Sequence, residues 1–232
     1  MNFRSSAELK DEARELLIGK YGSFFVIIMI VMAANLLLAA PARYIGSYLI
    51  SFLFTMLASV LLGVFKPGLC LFFLNIACDR KPLTSDIYYA FNKSNLKKSL
   101  LLSFYVVFPE MILMIPYGIL GYMADRASSV PLMLAAYGTL AIGELIYLPY
   151  SLFASQAFYL MLDFPSLDAF ELVALSFKRM RGHAARLLLL RLSFIPMYLL
   201  GICSMGLGFV WILAYVNMAN ALFFMDLMKN PA

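Results

Sequence analysis

The sequence predicts an all-α integral membrane protein, a bundle of about six transmembrane helices in three hairpins with amphipathic helices on the cytoplasmic side. Three observations carry this. The chain is 63% hydrophobic and only 13% charged, with a mean hydropathy of +0.87, well outside the soluble range. Its charges are gathered into short segments separated by long apolar runs. Those runs have the length that a hydrocarbon core of about 30 Å demands, roughly 20 residues per helix.

Taken in order, residues 1–20 predict an amphipathic helix. Ser5 and Glu8 have the spacing of a capping box, and Leu9, Ala13, Leu16 and Leu17 make one apolar stripe. Arg4, Lys10, Arg14 and Lys20 balance Glu8, Asp11, Glu12 and Glu15. A lipid-binding helix is usually more basic, so this one is expected to pack on the protein's own cytoplasmic face. The acidic residues and the lack of a small-residue cleavage site argue against a cleavable signal.

A single polytopic domain at 21–228 follows, with a short cytoplasmic tail at 229–232. Its candidate spans are Tyr21–Ala40, Tyr44–Phe65, Ser99–Met123, Pro131–Leu162, Leu187–Ser204 and Gly206–Met228. No period-two alternation suggests a barrel. External turns fall near Pro41–Arg43, Asp125–Ser129 and Ser204–Gly206. Tyr44–Cys78 and Pro131–Leu162, if continuous, run to about 50 Å at 1.5 Å per residue. Pro67 and Pro149 lie inside them and predict kinked or strongly tilted helices. After each comes an elbow, Pro82–Asp86 leading to Lys97 and Lys98, and Pro165–Asp168 leading to Lys178, Arg179 and Arg181. Leu167, Phe170, Ala174 and Phe177 share one face, as expected of a helix lying along the inner interface.

The basic residues orient the bundle. Arg80, Lys81, Lys93, Lys97 and Lys98 fall between the second and third spans, and Lys178, Arg179, Arg181 and Arg186 between the fourth and fifth. Only Arg43 and Arg126 fall on the other side. The positive-inside rule then places both termini in the cytoplasm. The net charge of +5 is a topology signal and not a sign of nucleic acid. Lys93, Lys97, Lys98, Lys178, Arg179, Arg181 and Arg186 are candidate contacts to anionic lipid, worth about 1 kcal/mol each near the surface. Expected partners are membrane lipids, with a homo-oligomer or a membrane-protein partner left open.

Cys70 and Cys78 lie too far apart on one helix to bridge, and with Cys203 they are expected to be free. Asn92-Lys93-Ser94 is a glycosylation sequon on the wrong side of the membrane. Ala135, Thr139 and Gly143 recur every four residues, a packing stripe. The segment Leu148–Tyr159 can be laid over Leu213–Phe224, matching Tyr150, Ala154 and Phe158 with Tyr215, Ala219 and Phe223. An internal repeat and chance matching among apolar residues both fit.

Several of these segments together resemble a known family. They are Ala13-Arg14-Glu15-Leu16-Leu17-Ile18-Gly19-Lys20-Tyr21, Ile87-Tyr88-Tyr89-Ala90-Phe91, Leu192-Ser193-Phe194-Ile195-Pro196, Gly206–Tyr215 and the terminal Phe223-Phe224. The family is the bacterial multi-spanning membrane family catalogued as domain of unknown function nine seven five. The resemblance covers nearly the whole chain. It implies a bacterial cytoplasmic membrane protein and transfers no catalytic residue.

Charges inside a span cost about 2.5–3.5 kcal/mol at the centre on insertion scales. Lys66, Glu110, Glu144 and Arg191 are the exceptions here. One reading gathers Lys66, Glu110 and Glu144 into a buried polar cluster lining a cavity or proton-coupled path. A second pairs Lys66 with one glutamate as a structural ion pair. A third places Lys66 or Glu144 nearer an interface. Arg191 is close enough to Arg186 to snorkel. No catalytic residue, metal site or cofactor is expected: His183 is the one histidine, and no nucleophile elbow or phosphate loop occurs. The sequence therefore predicts a non-enzymatic assembly, regulatory or membrane-organising component. The alternative is a small permease, or the membrane subunit of an exporter, using Glu110 and Glu144.

Overall fold

The computed structural model describes residues 3–45, 48–206 and 208–229. Eleven α-helices occur there in the order α1 (Ser6–Leu17), α2 (Tyr21–Ala39), α3 (Tyr48–Leu62), α4 (Phe65–Ala77), α5 (Lys93–Ala127), α6 (Val130–Ala154), α7 (Ala157–Asp163), α8 (Ala169–Met180), α9 (Ala184–Leu192), α10 (Ile195–Cys203) and α11 (Phe209–Lys229). Two 3-10 helices, Ala40–Tyr44 and Thr84–Phe91, complete them, and no strand occurs among the described residues. Six stretches are long and apolar enough to cross a membrane: Tyr21–Ala42, Ile50–Ala77, Lys93–Ala127, Val130–Asp163, Ala184–Cys203 and Phe209–Lys229. Of the expected tail at 229–232, all but Lys229 lies outside the described residues.

Three of these stretches are interrupted. The second breaks at Gly63-Val64, the fourth at Ser155-Gln156 and the fifth at Ser193-Phe194. The first two interruptions differ from the expected kinks. Pro67 is the third residue of α4, where a helix has no use for its missing N–H. Pro149 stays inside α6, and the chain breaks six residues later. At that break Ser155 Oγ donates back to the Leu152 carbonyl at 2.7 Å. Ser193 Oγ does the same to the Leu190 carbonyl at 2.7 Å, in a span whose break the sequence did not announce. Such back-bonds compete with the helical ladder and bend it.

Much of the core lies in the C-terminal halves of the even-numbered spans. α4 buries Phe65, Phe72, Phe73 and Ile76, α7 buries Ala157 through Met161, and α11 buries Met218, Phe223, Phe224 and Leu227. Tyr159 stacks on Phe224 at 5.0 Å, and these two positions coincide when the possible repeat is laid out. α5 and α6 form the most extensive contact between elements. Gly143 sits where a Cβ would lie 3.1 Å from the Leu113 carbonyl. At Gly68 a Cβ would lie 2.4 Å from the Ile87 carbonyl, so only glycine lets the 3-10 helix Thr84–Phe91 lie against α4.

α8 packs on α5, α6 and α7. The stripe it buries is Ala169, Leu172, Val173, Ser176 and Met180, not the face containing Phe170 and Ala174, which is exposed. The reason is lateral packing: α8 is covered by protein on one side, and Phe170 touches Tyr105 only edge-on at 6.0 Å. Ser176 Oγ also donates to the Phe153 carbonyl at 2.6 Å, taking up a group beside the break in the fourth span.

α1 docks along α11 with a fully buried stripe of Leu9, Ala13 and Leu17. Its capping box forms, with Ser5 N–H donating to Glu8 at 2.6 Å. That N–H, and then the Ser5 hydroxyl, hold the Glu8 carboxyl below its ordinary value of 4.5. The cap therefore contributes above that value and is lost as pH falls through the lowered one. Gly19, with φ +77°, ends the helix in the left-handed region and turns the chain into α2. Asp226 is 4% exposed and pairs with Arg186 and, at 3.5 Å, with Arg4. Arg186 Nη2 donates to the Arg4 carbonyl at 2.7 Å, and its guanidinium lies over Phe3 and Phe223. Burial, then the nearby Arg186, push the His183 imidazole below its ordinary 6.5. The fold favours neutral His183, so its penalty sets in as pH falls below 6.5.

Replacing Asp226 with Asn leaves two arginines facing each other without their carboxylate. The expected loss is about 3–5 kcal/mol, read as a lower unfolding temperature in detergent together with faster proteolysis of residues before Tyr21. Glu15→Gln, on the exposed side of α1, changes neither.

Candidate functional site

A cavity of about 340 Å³ is lined by the interruption at Ser155-Gln156 and by residues two positions from the other two, Lys66 and Arg191. α4 contributes Lys66 and Cys70, α6 contributes Tyr147, Ser151 and Ala154, and the break after α6 contributes Ser155 and Gln156. Phe158 and Tyr159 come from α7, Arg191 from α9, and Asn217 and Asn220 from α11, with Val106 of α5 closing one side. Broken helices of three spans thus meet around a polar space within the bundle.

Lys66 is exposed to this space at the first turn of α4. Its ammonium lies 5.3 Å from the centre of the Phe158 ring, and its backbone N–H is taken by the Gly63 carbonyl at 3.1 Å. Arg191 is half-buried in the last turn of α9. Neither cation makes a side-chain hydrogen bond or an ion pair among the described residues. They repel each other across the cavity, while Glu110 attracts Lys66 from outside ion-pair range.

Gln156 is 1% exposed. Its Nε2 donates to Ser155 Oγ at 2.9 Å. Because Ser155 spends its own proton on the Leu152 carbonyl, the amide must turn its N–H₂ toward Ser155. Oε1 is left buried without a donor. Asn217 Nδ2 donates to the Leu213 carbonyl at 2.8 Å, and the Asn220 amide has no bonded partner among the described residues.

The four exceptional charges do not all line the cavity. Lys66 and Arg191 share the cavity, whereas Glu110 and Glu144 are absent from its lining. Glu110 is half-buried on α5. Glu144 is exposed on α6 beside Leu145 and Ile146, which are also exposed. The two carboxylates sense each other electrostatically, and no ion pair joins Lys66 to either one. Among the residues expected to meet anionic lipid, Lys93, Lys97, Lys178 and Arg181 are exposed and Arg179 is half-buried. Lys98 donates to the Pro165 carbonyl, tying α5 to the loop before α8. Arg186 is bound internally to Asp226 and to the Arg4 carbonyl. Its partner on α11 lies forty residues away in sequence, beyond the reach of local pattern.

Residues 1–231 match the family described as protein of unknown function (DUF975). The chain belongs to this family. No curated protein and no solved structure matches it. The DUF975 match spans both α1 and α11, so the seam between them and the cavity above lie within one family unit.

Looking only for ionisable residues missed Gln156, Asn217 and Asn220. Their signal was present, since all three amides fall in the two segments that align as a possible repeat. Tyr147 and Tyr150 were missed because their partners are backbone groups. Tyr147 donates to the Val106 carbonyl at 3.0 Å. Tyr150 donates to the Tyr105 carbonyl at 2.8 Å, the acceptor that Pro109 deprives of its helical donor.

That assignment is open to a double-mutant test. Tyr150→Phe alone costs about 1–3 kcal/mol by leaving a buried acceptor bare. In a Pro109→Ala background the helix supplies the missing N–H, and the same exchange costs much less. Thermal unfolding of the four proteins in detergent measures the coupling.

Proposed function

We propose that this chain handles a ligand inside the membrane, as a small permease or as the membrane subunit of an exporter. The observation that carries this reading is the cavity that three interrupted spans line with Lys66, Gln156 and Arg191. Irregular backbone at membrane depth is tolerated where it is buried in protein or lines a water-filled space. Discontinuous helices meeting at a polar mid-membrane site are how many transporters build their binding sites. The chemistry differs from the sequence expectation, because the lining is cationic and the glutamates stand outside it. On this reading the protein sits in a bacterial cytoplasmic membrane with both termini inside. The gathering of Lys and Arg at the α1 end of the bundle supports that orientation.

A second reading, a non-enzymatic assembly, regulatory or membrane-organising component, is favoured by a different feature. α8 presents Phe170, 67% exposed, near its start and exposed Lys178 and Arg181 at its end, a surface suited to lipid headgroups or a neighbour. Identifying what co-purifies from mild detergent separates the two: a partner ATPase supports the exporter subunit, and a self-associated oligomer with an empty cavity supports the organising role.

The three native cysteines test the cavity and the orientation together. Cys70 lines the cavity, Cys78 follows α4 beside Lys229, and Cys203 ends α10 at the opposite end of α11. In single-cysteine variants, a membrane-impermeant maleimide applied to intact cells is expected to label Cys203, and Cys78 only in inverted vesicles. A small water-soluble methanethiosulfonate is expected to modify Cys70. A Cys70 inert from both sides would remove the ligand-handling reading, and Cys78 labelled from outside would reverse the orientation.

A further inference from the structure

We propose that the cavity holds a phosphate group that carries or adjoins a hydroxyl. This deepens the ligand-handling reading and rests on it. The two cations in the lining, Lys66 and Arg191, have no carboxylate within ion-pair reach among the described residues. One carboxylate, Glu110, attracts Lys66 from outside the lining. Two like charges facing one space inside a membrane call for a mobile counter-anion, since buried charge is costly until it is paired and hydrogen-bonded. Arg191 offers the planar fork and Lys66 the point charge that phosphate recognition commonly combines.

Gln156 adds a requirement that charge alone does not. The Ser155 relay fixes its amide so that Oε1 is the buried unpartnered atom. That atom is an acceptor and asks for a donor. A hydrogen phosphate has its own O–H, and a glycerophosphate headgroup has hydroxyls next to its diester. Sulfate, of similar size and charge, has no proton to give. A site that leaves a buried acceptor bare rejects the ligand lacking the donor far more strongly than size selection does. Asn220, facing the cavity without a bonded partner, supplies a neutral amide donor to the remaining oxygens.

The free-phosphate and lipid-headgroup sources are distinguished by two probes on the full chain. One is equilibrium dialysis of the detergent-purified protein with radiolabelled orthophosphate, competed by sulfate. The other is lipid analysis after incorporation into phosphatidylcholine nanodiscs with and without phosphatidylglycerol. The variants are Lys66→Gln, Arg191→Gln and Asn220→Asp, with Arg14→Gln as an exposed control. Asn220→Asp keeps the side-chain shape and places a fixed carboxylate beside the two cations, so it guards against loss of binding through misfolding. Wild type and Arg14→Gln are expected to bind orthophosphate, or to retain phosphatidylglycerol, at least about tenfold more tightly than the other three, as for one charge-assisted bond. Sulfate is expected to compete about tenfold less well than phosphate. Orthophosphate binding without lipid retention assigns a free ligand, and the reverse assigns a headgroup. Equal binding by wild type and Asn220→Asp, or equal competition by sulfate, overturns the proposal. If Cys70 proves water-accessible and neither probe binds, the phosphate assignment fails alone, whereas an inaccessible Cys70 defeats the ligand-handling reading beneath it.

Discussion

A helix crossing hydrocarbon meets its backbone hydrogen-bonding needs within itself, so each break in it exposes groups that lipid cannot satisfy. This chain breaks three of its six candidate spans, and at two of them a short helix outside the span supplies a donor. Ser176 of α8 takes the Phe153 carbonyl beside the fourth. Lys10 of α1 reaches the Ser193 carbonyl at the fifth, at 3.3 Å, with its ammonium over the Phe194 ring. At the second, the side chain of Ser103 fills the space that a side chain at Gly63 would need. The short helices flanking the bundle thus have a structural task beyond lying on a membrane surface: they keep interrupted spans tolerable.

Once breaks are tolerable, polar groups can stand at mid-span without lipid around them. Lys66 falls at the start of α4 because the chain restarts there, and Pro67 fits the same first turn. Gln156 belongs to the break itself, and Arg191 to the last turn before the next one. Three of the polar residues that line the cavity, Lys66, Gln156 and Arg191, therefore stand at or within two residues of a chain break. Glu110 and Glu144 sit within unbroken stretches of α5 and α6 and do not line the cavity.

Much of the architecture was legible because it follows from one-dimensional quantities. Run length and charge placement gave six stretches that overlap those observed, the second ending twelve residues short, and the capping spacing of Ser5 and Glu8 forms as read. What was not legible depends on relations between distant segments. Pro149 pointed to a kink, but the break came at Ser155-Gln156, where a serine back-bond and packing by α8 decide the matter. In the fifth span Ser193 and Pro196 were visible, yet the stretch was short enough to cross unbroken. Arg186 resembled any other basic residue of the positive side. Its pairing with Asp226 depends on where α9 and α11 come together, which no local pattern contains. The amides lining the cavity were overlooked because the cost of burying a neutral polar group is smaller than that of a charge, so they drew no attention singly.

The seam and the cavity are also linked in register. α9 carries Arg186 near its start and Arg191 near its end, while α11 carries Asp226 near its end and Asn217 and Asn220 further up. Arg186 and Asp226 are joined, so the axial position of α9 against α11 is set at that point. One to three helical turns separate each of these residues from its helix's contribution to the cavity. A shift at the Arg186–Asp226 pair therefore moves Arg191 relative to the two asparagines by a comparable amount. Arg4 pairs with the same carboxylate and donates to the Leu222 carbonyl at 3.3 Å, so α1 is part of that register. Since Lys10 holds the break immediately after Arg191, the N-terminal helix touches both ends of the short helix that delivers one of the two cations. The docking of α1 and the geometry of the cationic site are, for this reason, a single mechanical unit.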